Sequence, residues 1–397
     1  MADPLPSALP HPQPNPLLDL HRQAGAEFQA YADVEIVSTF GEPQAEYAAI
    51  RKGCAIIDLP QRGVLELTGK DRLPFLNNLL TNQTWDKAAR SGLSAGQGVY
   101  AFLLNVKGRI VADLNVLERG DRTLLEMDGR VVGTVQKALE KYLFAEQVKM
   151  AGRVGSLHGI ALHGPGAAGV LGEVAEGPAT AVDALQPLAS TSARLFGVDA
   201  TVWRDDPAGV PGFHILVDAA AARTVWMNLI ARFYDGAEPG PGKRKLRPAG
   251  WAAFNATRVE AGRPLFDVDF GNSADPDHSS LPAETGPATF SNAISLTKGC
   301  YLGQEIVARM HARGQVARQV VGLRMEDDSL PFAGSPIYDA QQSQIGVVTS
   351  STISPVLSNA AICLGYVKKP HFEMGTTVHV PAEGAVRKAT VVRTPFV

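Results

Sequence analysis

The spacing of apolar and polar residues predicts helices and strands that alternate through most of the chain. Behind Asp71, four leucines at helical spacing share one face and Pro74 lies in the tolerated first turn, which predicts a helix capped by Asp71. Apolar runs predict strands at 99–104, 110–117 and 123–127, followed by an amphipathic helix at 130–144 and a strand at 147–150. Helices interleaved with strands at this spacing predict an α+β fold.

The two ends of the chain have a different pattern from this body. The first sixteen residues contain six prolines, which lack a backbone donor and cannot propagate a helix, so they predict a flexible tail. After about residue 315, short β-type runs separated by Gly, Pro, Ser and Asn turns are typical of a small β-barrel. We therefore expect a tail at 1–16, an α+β body of two interleaved subdomains at 17–315 and a barrel at 316–397.

Composition narrows the class of protein. The 397 residues are 45% hydrophobic and 19% charged, which is the balance of a chain with buried cores. A formal net charge of -3 disfavours direct nucleic-acid binding, because no global cationic field attracts the phosphates. No window reaches the roughly 18 consecutive apolar residues of a membrane span, so we expect no membrane partner.

The cysteines and histidines do not form a metal-binding pattern. Cys54, Cys300 and Cys363 stand far apart and cannot form a disulfide framework or a thiolate cage, so a reducing, cytoplasmic setting fits best. The nine histidines show no metal-ligand spacing, and no G-x-S-x-G nucleophile motif is present. We therefore expect no resident metal and no serine hydrolase.

Two short motifs have structural explanations that outweigh the functional ones. Residues 164–169 match G-x-G-x-x-G after an apolar run, which in a dinucleotide fold would bring amides to a pyrophosphate. Pro165 removes one of those amides, so a tight strand-to-helix turn is favoured. The basic run 243–247 follows a Pro/Gly loop at 239–242 and would suit nucleic acid, but in a near-neutral chain it predicts a solvated loop.

The densest group of reactive residue types lies between Lys298 and Glu305. Gly299 and Gly303 place Cys300 at or before the start of an amphipathic helix. Exposed amides, the helix dipole and a neighbouring ammonium all favour the thiolate, which makes Cys300 a candidate nucleophile or redox-sensitive residue. Cysteines without a disulfide are also commonly buried packing residues, and the local sequence leaves these two alternatives even.

This group resembles a known signature. Residues 298–305 read K-G-C-Y-L-G-Q-E and resemble the K-G-C-[FY]-x-G-Q-E sequence of the YgfZ-type folate-binding proteins. R-V-E-A-G at 258–262, L-P-A-E at 281–284 and the L-T-G-K-D segment at 67–71 resemble that family too, and are shared with the aminomethyltransferase (T-protein) of the glycine cleavage system. The resemblance implies a three-domain aminomethyltransferase-like fold around a central hole, with a C-terminal barrel and a tetrahydrofolate-type ligand.

Two departures from the transferase pattern bear on function. The transferase carries an acidic pair after a G-G turn, whereas this chain has Ala112 at the first acidic position and keeps only Asp113. Because strand neighbours point to opposite faces, we do not expect Asp113 to replace that carboxylate, and losing a positioned acid costs about 10²–10⁴-fold in rate. The transferase also has a D-G-x-E strand that holds the pterin, and here His214 stands in place of the glutamate and lacks its pair of acceptors.

The resemblance therefore predicts a folate-binding accessory protein that supports assembly or repair of iron–sulfur clusters in other proteins. It implies tetrahydrofolate or a derivative as cofactor, with iron–sulfur client or assembly proteins as partners. The implied site has Cys300 and Asp113 as catalytic groups and Arg109, Tyr100, Arg258, Lys298, Gln304 and Glu305 as ligand contacts. Two alternatives stay open: a folate-dependent one-carbon transferase or demethylase acting on an amine, with Asp113 as its surviving acid, and a redox-sensing or scaffold protein whose folate cavity is vestigial.

Overall fold

A computed structural model of the protein describes residues 15–176, 182–234, 246–314 and 316–397. Most of the expected proline-rich tail, the Pro/Gly loop at 239–242 and positions 243–245 of the basic run lie outside these residues. In the part of the chain described, no helix is long and apolar enough to cross a membrane. The described elements form two large sheets, a barrel and the helices that cover them.

The first large sheet is antiparallel and contains the three strands predicted between residues 99 and 127. The strand Ile110–Glu118 is buried along nearly its whole length, because one face packs in the main apolar core and the other faces the interior of the molecule. In spatial order the strands of this sheet are Lys149–Gly152, Arg62–Thr68, Arg122–Asp128, Ile110–Glu118 and Gly98–Leu104.

The second large sheet packs against the first through a small apolar cluster that includes Val64, Leu117, Trp203 and Leu216. Its neighbouring strands are antiparallel except for the last pair, which is parallel. In spatial order the strands are Ala175–Glu176, Ser190–Leu195, Val198–Arg204, Gly212–Asp218, Leu157–His163, Ala55–Leu59 and Arg247–Pro248. Two shorter hairpins lie outside these sheets, Glu27–Tyr31 with Val34–Thr39 and Trp85–Asp86 with Ser91–Gly92.

The C-terminal region is a closed β-barrel, as the β-type runs predict. Alternating valines and other apolar residues fill its centre, among them Leu323, Val378 and Val391. A strand of three residues, Pro336–Tyr338, also belongs to the barrel and carries too few residues to give a detectable pattern. Around the barrel the strands are Arg318–Met325, Ala360–Lys368, Gln344–Ser354, Pro336–Tyr338, Thr377–Ala382 and Ala385–Val392.

The helices follow the sequence pattern with two differences. Asp71 occupies the N-cap position, but its Oδ2 accepts from the Gln147 N–H at 2.8 Å instead of capping the helix. The helix predicted at 130–144 ends at Glu140, because the Glu146 carboxylate accepts from two loop amides and offers the backbone an alternative to helix. The helices are Leu18–Gln23, Pro43–Lys52, Arg72–Leu79, Val132–Glu140, Ala167–Val174, Ala219–Phe233, Trp251–Glu260, Pro287–Ala293 and Gln304–Arg313.

The helix Trp251–Glu260 joins the α+β body to the barrel. Its fully buried Arg258 donates to Asp269 Oδ2 at 2.6 Å and to Ser350 Oγ of the barrel at 2.7 Å. Glu260, the last residue of the helix, is also fully buried and accepts hydrogen bonds from the hydroxyls of Tyr47 and Ser354. These charge-assisted bonds fix the C-terminal half of the helix against the barrel.

Candidate active site

A cavity lies beside this helix, and both large sheets contribute to its walls. Aromatic rings form one part of the lining and polar or charged groups form the other. The aromatic residues are Tyr31, Tyr100, Trp251, Phe254 and Phe266. The polar and charged residues include Arg62, Asp113, Asn115, Asp205, His214 and Arg263. Apolar walls with a few convergent polar groups are typical of a small-molecule site.

Tyr100 and Asp113 form the acidic centre of this cavity. Phe102 pairs with Asp113 across two antiparallel strands, so Tyr100 lies diagonally from Asp113 on the same face. The Tyr100 hydroxyl donates to Asp113 Oδ2 at 3.0 Å, whereas buried Oδ1 has no partner among the described residues. Burial raises the pKa of Asp113, and Arg62 and Tyr100 only partly oppose this. The carboxyl is therefore suited to exchange a proton with a ligand.

A fixed set of polar bonds lies next to this pair. Arg62 makes two bonds to Glu126, at 2.5 and 2.7 Å, and the Asn115 amide donates to the same carboxylate at 2.9 Å. Glu126 thus balances the guanidinium charge inside the protein. Asn115 Oδ1 is buried and has no partner among the described residues, so it is a further acceptor next to Asp113.

The second sheet contributes a pair of histidines. His214 pairs directly with Trp203 across two strands, and their rings stack with centroids 5.0 Å apart. Burial lowers the pKa of His214, which favours the neutral ring. The neighbouring His163 ring lies 5.8 Å away, and burial together with His214 lowers its pKa to about 3. Gly212 permits this arrangement, because a Cβ there would lie 2.5 Å from His163 Nδ1.

Arg263 brings a positive charge to the cavity. Its guanidinium carbon lies 5.5 Å from the centre of the Tyr100 ring, and Nη2 is 3.5 Å from Asp205 Oδ1. Burial tends to lower the pKa of Arg263, but Asp205, Tyr100 and Asp113 outweigh it and raise the value. The guanidinium therefore stays charged and can bind an anionic group of a ligand.

The structure corrects the expectation for Ala112 and Asp113. Ala112 is fully buried in the main core, whereas Asp113 lines the cavity. The alternation of faces holds, but the inference that Asp113 cannot take the place of the carboxylate does not, because the cavity lies on the side of Asp113. Alanine at position 112 therefore leaves a carboxyl group, that of Asp113, in the lining of the cavity.

The Cys300 loop is held by Lys298. The Lys298 ammonium is buried and donates to the carbonyls of Asn77, Leu80 and Asn82, at 2.7, 2.5 and 2.9 Å. Burial and then the nearby Lys87 lower the pKa of Lys298 to about 7, but three carbonyl acceptors use all three N–H bonds of the charged form. Lys298 thus ties the loop to the end of the helix Arg72–Leu79, while Cys300 is exposed.

Gly303 allows residues 298–305 to pack against the hairpin turn of the first sheet. Gly303 precedes the helix Gln304–Arg313 with φ +79°, and a Cβ there would lie 2.9 Å from the Asn105 carbonyl. Gly108, at φ +69°, faces it from the hairpin turn, where a Cβ would lie 2.8 Å from Ile306 Cβ. Both positions therefore require glycine for conformation and for close approach.

Of the residues expected in the site, the cavity brings together Tyr100 and Asp113. Arg109 donates to the Ser279 carbonyl at 2.7 Å and holds that segment on the hairpin, and Arg258 forms the buried ion pair with Asp269. These two arginines, together with Lys298, Cys300, Gln304 and Glu305, are absent from the lining of the cavity.

Sequence reasoning missed most of the cavity. Tyr31, Arg62, Trp251 and Arg263 come from distant segments and meet only after folding. One pattern was available: Asp113 and Asn115 are polar residues two positions apart in an otherwise apolar strand, which indicates a polar patch on one face.

The two sheets, the closed barrel and the acidic cavity define a mixed α/β fold of the T-protein class. The crystal structure of glycine cleavage system aminomethyltransferase T from Bartonella henselae has this fold, with a TM-score of 0.81, 24% identity and coverage of 96% of this chain and 97% of that one. The chain belongs to the T-protein family: residues 17–284 match the GCVT N-terminal domain, and residues 318–397 match the glycine cleavage T-protein C-terminal barrel domain.

Two curated relatives that cover nearly the whole chain are both named aminomethyltransferase. The aminomethyltransferase of Moorella thermoacetica is 30% identical over 386 residues, covering 96% of both chains. That of Saccharopolyspora erythraea is 28% identical over 394 residues, covering 97% of this chain and 98% of its own. These relatives do not confirm the YgfZ-type assignment or the expected iron–sulfur function. They favour the alternative, a folate-dependent transferase.

Proposed function

We propose that the protein transfers a one-carbon unit from an aminomethyl donor to tetrahydrofolate. The observation that carries this proposal is the buried Asp113 carboxyl in the lining of the cavity, with Oδ2 bonded to Tyr100 and Oδ1 without a partner in the described chain. The names of the curated relatives support the same class of reaction.

The chemistry of the cavity residues fits a reduced folate. Tyr31 and Trp251 offer aromatic surfaces for a flat ring, and Asp113 Oδ1 offers an acceptor for a ring N–H. Arg263 offers a positive charge for the carboxylates of the glutamyl tail. Tetrahydrofolate would supply two amine nitrogens that take up the carbon.

The reaction needs proton transfer and no change of oxidation state. The carbon gives up its bonds to the donor's nitrogen and to the donor's leaving atom, and gains bonds to two folate nitrogens. The two protons displaced from those nitrogens leave with ammonia and with the protonated leaving group. Asp113 can carry one of these protons, because its raised pKa brings the carboxyl closer to the operating pH and Tyr100 holds it in place.

The test is ammonia release from an aminomethyl thioether donor by the purified full chain, with and without tetrahydrofolate. We expect release that depends on tetrahydrofolate, and a fall of about 10²–10⁴-fold in kcat for Asp113→Asn. Binding of tetrahydrofolate to the variant should weaken far less than kcat falls, because the amide keeps the size of the side chain.

Asp121→Asn is the matched control, since Asp121 lies in the turn after the same strand with its side chain 75% exposed. Its rate should equal that of the unsubstituted protein. Absence of folate-dependent release, or equal loss of activity in both variants, would overturn the proposal.

An iron–sulfur accessory role is the second candidate, and the exposed Cys300 in the intact K-G-C-Y-L-G-Q-E segment favours it. Cys300→Ser should then fail to restore iron–sulfur enzyme activity in a cell that lacks the protein. Full restoration by that variant removes Cys300 from such a role.

A further inference from the structure

Unpartnered polar atoms cluster around His214. Neither ring nitrogen of His214 has a hydrogen-bond partner among the described residues, and the same holds for His163 Nδ1 and Trp203 Nε1. His214 is 8% exposed and lines the cavity. Buried polar atoms without a partner are rare in folded proteins, and His214 is the one of these three rings that lines the cavity, so its two free nitrogens indicate that something in the cavity bonds to them.

The orientation and charge of the His214 ring are fixed by its neighbours. Stacking on Trp203 fixes the plane of the ring, and the strand pairing fixes its depth. Burial lowers the pKa of His214, so the ring is neutral and carries one N–H donor and one acceptor nitrogen. A carboxylate at this position would carry two acceptors, no donor and a negative charge.

We propose that His214 determines which nitrogen heterocycles the cavity accepts. A neutral imidazole can accept from a ring N–H or donate to a ring carbonyl, depending on its tautomer. The cavity therefore binds two kinds of pteridine. In one the ring edge that faces His214 carries two N–H donors, and in the other it carries an N–H donor beside a carbonyl acceptor. This inference rests on the proposed function, because it takes the bound ring to be that of a folate.

The experiment compares two small rings that differ at this edge: pterin, which carries an amino group at carbon 2, and lumazine, which carries a carbonyl there. Equilibrium dialysis of the full chain measures each Kd from the fluorescence of the ring. We expect the two Kd values to agree within about threefold, and His214→Glu to favour pterin by about tenfold or more. His214→Gln keeps one donor and one acceptor and should leave the ratio near its original value.

His379→Glu is the matched control, since His379 in the barrel also has an unpartnered Nδ1 and does not line the cavity. Its Kd ratio should stay unchanged. A tenfold preference for pterin in the unsubstituted protein, equal ratios in the Glu and Gln variants, or no binding of either ring would overturn the inference. If His214→Glu does not fold, His214→Ala must weaken both rings at least about fivefold, and unchanged affinity overturns the inference.

Failure of this inference can be told apart from failure of the proposed function. If His214→Glu leaves the ratio of the pterin and lumazine Kd values unchanged while folate-dependent ammonia release persists, only the role of His214 is contradicted. If the variant changes that ratio but the protein releases no ammonia, the proposed transferase activity is contradicted and the binding role of His214 stays intact.

Discussion

The Tyr100 phenol donates a hydrogen bond to Asp113 Oδ2, whereas Asp113 Oδ1 is buried without a partner among the described residues. Because this bond stabilises the charged carboxylate, it lowers a pKa that burial raises. Tyr100 is thus a positioning residue that sets both the orientation and the proton affinity of the carboxylate proposed to take up a proton.

Tyr100→Phe should therefore change the pH profile as well as the rate. Asp113 must be ionised to accept a proton from a folate nitrogen, and without the donor its pKa rises further, so the acidic limb of kcat moves to higher pH. At neutral pH kcat should fall about tenfold. Tyr338→Phe in the barrel is the control. A lower rate with an unmoved acidic limb would show that Tyr100 only packs.

A buried carboxylate that does not line the cavity, that of Asp58, should govern acid stability. Asp58 accepts from Asn15 at 2.7 Å and contacts His21 and His158 at 2.9 and 2.7 Å. Burial alone would raise the pKa of Asp58, but the two histidines outweigh it and hold the pKa well below its usual range. The stabilisation is therefore complete above the unfolded-state pKa of about 3.9 and is lost as the pH falls further.

Asp58→Asn should lower the free energy of unfolding at pH 7 by about 2–4 kcal/mol. The difference from the unsubstituted protein should shrink in urea melts from about pH 5 downward. Asp19→Asn, at an exposed site on the adjoining helix, should change neither. A difference that stays constant down to pH 2 would exclude this titration as the cause.

The three cysteines should react in two classes. Cys300 is exposed, whereas Cys54 and Cys363 are buried, and burial raises the pKa of both buried thiols, that of Cys363 to about 12. A thiol-specific reagent at pH 8 should therefore label one thiol quickly in the folded protein and the other two only after unfolding. Cys300→Ser should abolish the fast phase, and a fast phase in that variant would show that a core opens.

Arg258 should matter for stability and not for ligand contact. Arg258→Met leaves Asp269 buried without its cation, which should cost about 3–5 kcal/mol in urea unfolding. The Kd of tetrahydrofolate for the folded variant should change by less than about threefold, since Arg258 does not line the cavity. A large loss of affinity at unchanged stability would restore its expected role as a ligand contact.

Local patterns predicted most of the fold. Strands with a clear run of apolar residues were predicted, because such a run is visible within a short stretch of sequence. They include the hairpin of Gly98–Leu104 with Ile110–Glu118 and the long strands of the barrel. The end of the fourth helix at Glu140 was not predicted, because loop amides bond to the Glu146 side chain beyond it, and the strand Pro336–Tyr338 was not predicted because it is too short.

The site was harder to predict for the same reason. The Cys300 loop is contiguous in sequence and therefore attracted attention, whereas the cavity joins Tyr31, Asp113 and Arg263 from three separate segments. Tertiary packing decides which face of the strand Ile110–Glu118 borders the cavity, and the sequence does not show it. For this reason alanine at position 112 was interpreted as the loss of an acidic group from the site.

The contact between Gly303 and the turn at Gly108 gives the K-G-C-Y-L-G-Q-E segment a structural task that does not depend on the chemistry of Cys300. The glycine and the buried Lys298 hold two distant parts of the polypeptide together, and both tasks are the same whatever reaction takes place in the cavity. The letters K-G-C-Y-L-G-Q-E in this chain therefore report first of all how the loop is fastened to the first sheet and to the helix Arg72–Leu79.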